Sequence, residues 1–130
     1  MKTSIVGVFV AASAAAAGAH HSFNVTYDAN QPITLQGDIA RIVLASPHSM
    51  LDLDVKDGDG KVVWWIVEMA PPNNLMRRGV TPATLQAGER VSVDGYLARN
   101  GGTTVSGRQI RTVDGRTLFV GPSATAPPDQ

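Results

Sequence analysis

No cysteine occurs among the 130 residues, so neither a disulfide nor a thiolate metal site can hold this chain together. Neither sign of charge is in surplus, since 11 Lys and Arg face 11 Asp and Glu. A surface without a basic excess gives nucleic acid no electrostatic reason to bind, because that affinity rests on clustered Lys and Arg. Aromatic residues are scarce at 5%, which makes each of the two Trp and two Tyr worth placing. No Ser-His-Asp order, phosphate-binding loop or pair of acid and base carboxylates stands out, so the expectation is that the protein is not an enzyme.

What is present is enough apolar material for one globular domain, at 43% of the chain. Without cross-links, burial of that material must supply nearly all the stability. About 110 residues suffice for a modest core.

The first residues read as a secretory signal. Lys2 precedes an apolar run over 5–17, and Ala17-Gly18-Ala19 has the small-x-small pattern of a cleavage site. The run is shorter than the roughly 20 apolar residues of a membrane-spanning helix. The expected mature chain therefore begins at His20, has no membrane span, and works in the periplasm or outside the cell. Losing Lys2 leaves ten basic against eleven acidic residues, a formal charge of minus one.

Four segments follow from the pattern: a signal over 1–19, a polar arm without periodicity over 20–32, a domain over 33–121 and a Pro-rich, disordered tail over 122–130. In the domain, Ile33, Leu35 and Ile39 and then Ile42 and Leu44 are inward positions of one long strand. The phase slips by one residue near Ala40, as at a β-bulge that bends the strand. Leu51, Leu53 and Val55 alternate with Asp52 and Asp54, a strand with one wet face. Asp57-Gly58-Asp59-Gly60 is a hairpin turn, and 62–67 is a strand covered on both faces. Of the adjacent tryptophans, Trp65 shares the parity of Val63 and Val67 and is the core residue, with Trp64 facing out. Pro71-Pro72 stops the sheet, and a short helix over 73–78 ends at Gly79. Further strands are expected over 90–98 and 103–111, and a short apolar piece over 118–120 follows the Asp114-Gly115 turn. Three strands, a helix and two more strands predict a mainly β, small five-stranded barrel of OB type with the helix between strands 3 and 4. The alternative is a small β-sandwich.

All three histidines are candidates for one metal site: His20 and His21 at the expected mature terminus, and His48 after a rigid proline. Imidazole binds copper, zinc and nickel, with copper favoured among divalent ions. A terminal histidine can chelate with its ring and its free α-amine together. The plainer account is that the pair is tolerated after the cleavage site and that His48 is a turn residue. His48, Met50, Asp52 and Asp54 share one strand face, where Met50 is a soft donor for Cu(I) and Asp52 a hard donor or an orienting group. An ordinary solvated face is the plainer reading there too. The 57–60 turn lacks the ligand positions of a calcium loop, which fall on Val55 and Ile66. Arg77 and Arg78 suit a helix C-terminus. The expectation is thus a small secreted binding protein that holds copper through its His-His arm. The alternative is a metal-free interaction module for an envelope protein or small ligand, with Trp64 as a stacking surface.

His20-His21-Ser22-Phe23, Thr34-Leu35-Gln36-Gly37, Pro47-His48, Trp65 with Glu68, and Pro72-Asn73 running into Leu75-Met76-Arg77-Arg78-Gly79 recur in that order in a bacterial secreted family. With Ala87-Gly88-Glu89-Arg90-Val91 and Asp114-Gly115-Arg116, they make the chain resemble the family catalogued as domain of unknown function 6152, from His20 to about Phe119. The resemblance implies that a His-His pair opens the mature chain, and it implies no activity. The sequence departs from the family pattern at Ser46, near Leu44 and Ala45, and at Val80.

Overall fold

Apolar side chains that recur at every second residue can be buried together only on an extended backbone. Six such segments pair in the computed structural model, which describes residues 23–122. They are β1 (Tyr27–Val43), β2 (Ser49–Lys56), β3 (Val62–Met69), β4 (Arg90–Ala98), β5 (Thr104–Thr112) and β6 (Thr117–Phe119), with one short helix, α1 (Pro72–Arg77), between β3 and β4. The expected signal, His20, His21 and residues 123–130 lie outside the described residues.

The long β1 serves two neighbours. Its first part pairs with β4, from Tyr27 opposite Ala98 to Asp38 opposite Arg90, and its last part pairs with β2, from Asp38 opposite Asp54 to Val43 opposite Met50. The register slips between Ile39 and Arg41, the bulge that the apolar phase predicts. A Cβ at Gly37 would collide with the Asp54 carbonyl, so only glycine lets β1 pass this close to β2 where it changes partner. β1 begins at Tyr27 rather than Ile33, because pairing with β4 extends it back to Tyr27; residues 28–32 are mostly exposed and carry no apolar alternation that would mark a strand.

All six strands form one sheet in the order β3-β2-β1-β4-β5-β6, in place of the two packed sheets of a sandwich. A parallel pairing of β3 with β5, Ile66 to Glu68 against Thr104 to Ser106, completes a ring of hydrogen bonds through β1, β2, β3, β5 and β4. Inside lie Leu35, Ile39, Leu51, Leu53, Val67, Val93, Val105 and Ile110, joined by Leu75 of α1 and by Val80 and Leu85 beyond it. Proline at the first turn and Gly79 at φ +79° just past the end delimit α1. In the 57–60 turn, Asp57 Oδ1 accepts from the amides of Asp59 and Lys61, and Gly60 takes the positive φ. Trp65 packs partly buried against the core, whereas Trp64 is 53% exposed, so the strand phase is the expected one.

Candidate functional site

Glu68 is the only charged residue of β3, VVWWIVEM. It lies directly opposite Met50 of β2 and beside Ser106 of β5, which in turn lies opposite Tyr96 of β4. Their neighbours Leu51, Val67 and Val105 are fully buried in the core. Because successive side chains of a strand point to opposite sides, Met50, Glu68, Ser106 and Tyr96 form a row across the outside of four strands.

The start of the described chain crosses this row. Residues 23–26 make a helical turn that leads into Tyr27, and Arg99 ties the segment down. Its amide donates to the Thr26 carbonyl at 2.9 Å, its Nε to the Asn24 carbonyl at 2.7 Å, and its Nη1 lies 3.5 Å from Asp28. The Phe23 ring stacks on Tyr27 with centroids 5.7 Å apart and meets Tyr96 edge-on at 5.8 Å. Tyr27, only 4% exposed, donates its hydroxyl hydrogen to Glu68 Oε2. Burial pushes the Tyr27 phenol well above its ordinary range, and the hydrogen bond to Glu68 and the Glu68 charge push it further. The hydroxyl therefore remains a proton donor at any physiological pH.

The other carboxylate oxygen is taken by His48, which follows a cis Ser46–Pro47 peptide. His48 Nδ1 lies 2.8 Å from Glu68 Oε1, and the ring is partly exposed. In the neutral ring, a proton on Nδ1 makes this a hydrogen bond and leaves Nε2 as the ring's acceptor nitrogen. Among the described residues Nε2 has no hydrogen-bond partner. A histidine whose one nitrogen is held by a carboxylate is oriented to offer the other to a metal ion.

The three histidines of the sequence reading divide here: His48 is placed on Glu68, and His20 and His21 fall outside the described residues. Met50 shares the outer row. Asp52 does not belong to a wet face, which corrects the sequence reading. It is 8% exposed, and Arg41 Nε lies 2.8 Å from its Oδ2, so the long arginine side chain covers it. Asp54 is exposed opposite Trp64. Arg77 contacts Asn74, and Arg78 donates to the Gly121 carbonyl at 2.6 Å, tying the segment after β6 to the end of α1. Among the described residues no three His, Asp or Glu side chains converge to hold an ion. Sequence reasoning missed Tyr27 altogether and took Glu68 only as part of a family pattern. The available signal was a lone carboxylate in an otherwise apolar strand.

A model of a family of unknown function, DUF6152, matches residues 8–107, which is most of the chain. The chain belongs to this family. The DUF6152 match takes in β1 to β4 and β5 as far as Gly107, and with them Tyr27, His48, Met50 and Glu68. No curated protein matches the chain. No helix among the described residues is long and apolar enough to cross a membrane.

Proposed function

We propose that this chain is an exported copper-binding protein of OB type, cleaved after Ala19, in which the His20 amine and ring, His21 and His48 hold one Cu(II). The observation that carries the reading is the Tyr27–Glu68–His48 chain, which engages Nδ1 of the imidazole and leaves Nε2 to bind a metal. Phe23 belongs to the same contact chain through Tyr27. Two residues of backbone span at most about 7 Å, so the chain length allows His21, two positions before Phe23, to approach this cluster. His48 alone is a poor site, and a terminal amine with two more imidazoles makes a good one for copper.

The OB reading is supported by the strand ring β1-β2-β3-β5-β4, the parallel β3–β5 closure and the helix between β3 and β4. On this reading the protein acts by holding and handing over the ion, with no reaction of its own, and it binds no nucleic acid. The competing reading is a metal-free interaction module, favoured by Trp64 and Val62 at 53% and 60% exposure on the outer face of β3.

Two measurements separate these readings. The first is the mass and N-terminal residue of the exported protein, expected to begin at His20. The second is a Cu(II) titration of that material beside a form with one residue added before His20, which separates the amine from the first ring. The added residue is expected to weaken binding sharply. If it does not, and His48→Ala also has no effect, the metal reading gives way to the interaction module.

A further inference from the structure

β3 is sealed along only part of the side away from β2. β5 covers Ile66 to Glu68, and no strand pairs with 62–65 there. Ile66 donates its amide to the Thr103 carbonyl on that side. Backbone groups of successive strand residues point to alternate sides, so the amides and carbonyls of Val62 and Trp64 face the same way as those of Ile66. Among the described residues nothing bonds to Val62 or Trp64 on that side. Other open edges are blunted. β6 is three residues long, and the first half of β1, unpaired away from β4, carries Asn30, Gln31 and Pro32. Short edges, polar side chains and proline keep an edge from recruiting strands. The 62–65 edge reads Val-Val-Trp-Trp, without proline, charge or bulge, and Val62 and Trp64 are 60% and 53% exposed.

We infer that this edge pairs with the same edge of a second copy, antiparallel about a two-fold axis through Val63, to give a weak dimer. Such a pair needs edge-facing residues opposite one another. With Val63 at the centre, Val62 of each copy lies opposite Trp64 of the other, and each pair exchanges both N–H···O bonds. Centring on Trp64 would need the Ile66 amide, which Thr103 already takes, and centring on Val62 would need Gly60, which lies in the turn at φ +79°. Side chains of opposed residues share a face, so the exposed valine and the exposed tryptophan cover each other twice. The charges agree. On β2, Lys56 lies opposite Val62 and Asp54 opposite Trp64. A row across the joined sheet therefore runs Lys56, Val62, then Trp64 and Asp54 of the second copy, with opposite charges at its ends. A two-fold contact uses the same patch on both copies and so closes at two. The 62–65 stretch is far shorter than the roughly 20–30 residues a side of a standard interface, which makes the dimer weak and concentration-dependent. The copper-binding reading is neither needed nor tested by this inference.

The mature protein is followed by sedimentation velocity from low micromolar to millimolar concentration, beside Trp64→Lys and Val113→Lys. Both positions are exposed, Val113 past the far end of β5, so both variants should fold, and urea denaturation checks it. Wild type is expected to pass from monomer to dimer and Val113→Lys to match it. Trp64→Lys should dimerise more weakly by about 30-fold or more, the scale of losing a tryptophan at the centre of a contact. Amide hydrogen exchange at Val62 and Trp64 should slow as concentration rises, while that at Val113 does not. A wild type that stays monomeric at millimolar concentration overturns the inference, as does a dimer that survives Trp64→Lys or is lost equally in Val113→Lys, or an assembly that grows past two. A monomer whose Val62 and Trp64 amides are protected at every concentration would mean that the edge is already covered within the chain, which overturns it too.

Discussion

Two carboxylates on this small sheet are each held by several partners, and they differ in where those partners come from. Asp94 of β4 accepts from Thr34 of β1 at 2.7 Å and Gln109 of β5 at 2.7 Å, with Arg111 of β5 at 3.2 Å. All three belong to strands that β4 already pairs with, so the cluster fastens neighbours that the ladder has brought together. Burial alone would raise the Asp94 pKa. The hydrogen bonds from Thr34 and Gln109 and the charges of Arg111 and Arg108 outweigh it, and the group is held below the usual carboxylate range. Glu68 instead joins parts that share no ladder: Tyr27 at the start of β1 and His48 in the loop before β2. The partners of Asp94 all donate into its carboxylate, whereas His48 keeps a second ring nitrogen to offer. A saturated cluster is structure, and a cluster that orients an open donor is a candidate site.

Substitutions can break or sharpen that contrast. The largest loss of stability should come from neither carboxylate. Trp65→Ala, which removes a large ring packed on the core, is expected to cost about 3 kcal/mol, less copper effect than any change at Glu68, and clearly more stability than Trp64→Ala. Urea denaturation of both variants checks this, and equal losses would show the strand phase to be wrong. Next comes Glu68→Gln, where the amide can still accept from Tyr27 but turns a donor toward His48. The ring must then carry its proton on Nε2, the nitrogen meant for the metal. Copper affinity should fall by about 10- to 100-fold, read by competitive titration, while Asp94→Asn leaves it unaltered.

Tyr27→Phe should cost about 1–3 kcal/mol, because it leaves one oxygen of Glu68 without its donor beneath an aromatic ring. Chemical denaturation measures it directly, and a neutral result would mean that solvent replaces the hydroxyl. The smallest effect is expected for Asp94→Asn, about 1 kcal/mol at neutral pH, since the cluster is largely solvent-screened. Its pH dependence has a definite sign. A carboxylate with a lowered pKa stabilises the fold above its unfolded value and loses that contribution as pH falls through the folded one. The gap between wild type and Asp94→Asn should therefore close between about pH 4 and lower values, and a gap that widened in acid would contradict the assignment.

Much of the frame was legible because it depends on local pattern. The phase slip at Ala40, the 57–60 turn, the proline and glycine that bracket α1 and the opposite facing of Trp64 and Trp65 all follow from residues close in sequence. The candidate site was legible only through His48. Tyr27 and Glu68 are 41 positions apart, and no periodicity announces a contact across that distance. Tyr27 also sits in a polar stretch whose strand is defined by pairing with β4 rather than by its own alternation. Asp52 misled for a related reason. Its parity is that of an outer face, but Arg41, one strand away, covers that spot. The parallel β3–β5 closure leaves no trace in either strand's pattern.

That closure governs the order in which the chain can be completed. Ile66 donates its amide to the Thr103 carbonyl, and the β3–β5 register begins at the next residue. Until the chain around 104–106 has docked, this stretch of β3 has an open edge beside the exposed Val62 and Trp64. Contacts between segments so far apart form late, because loop closure must come before they contribute anything. An unfinished or truncated chain thus presents an apolar strand edge of the kind that recruits other chains into aggregates. The last strands to emerge are the seal, and with no disulfide to hold an intermediate, speed in placing them is the protein's defence against self-association.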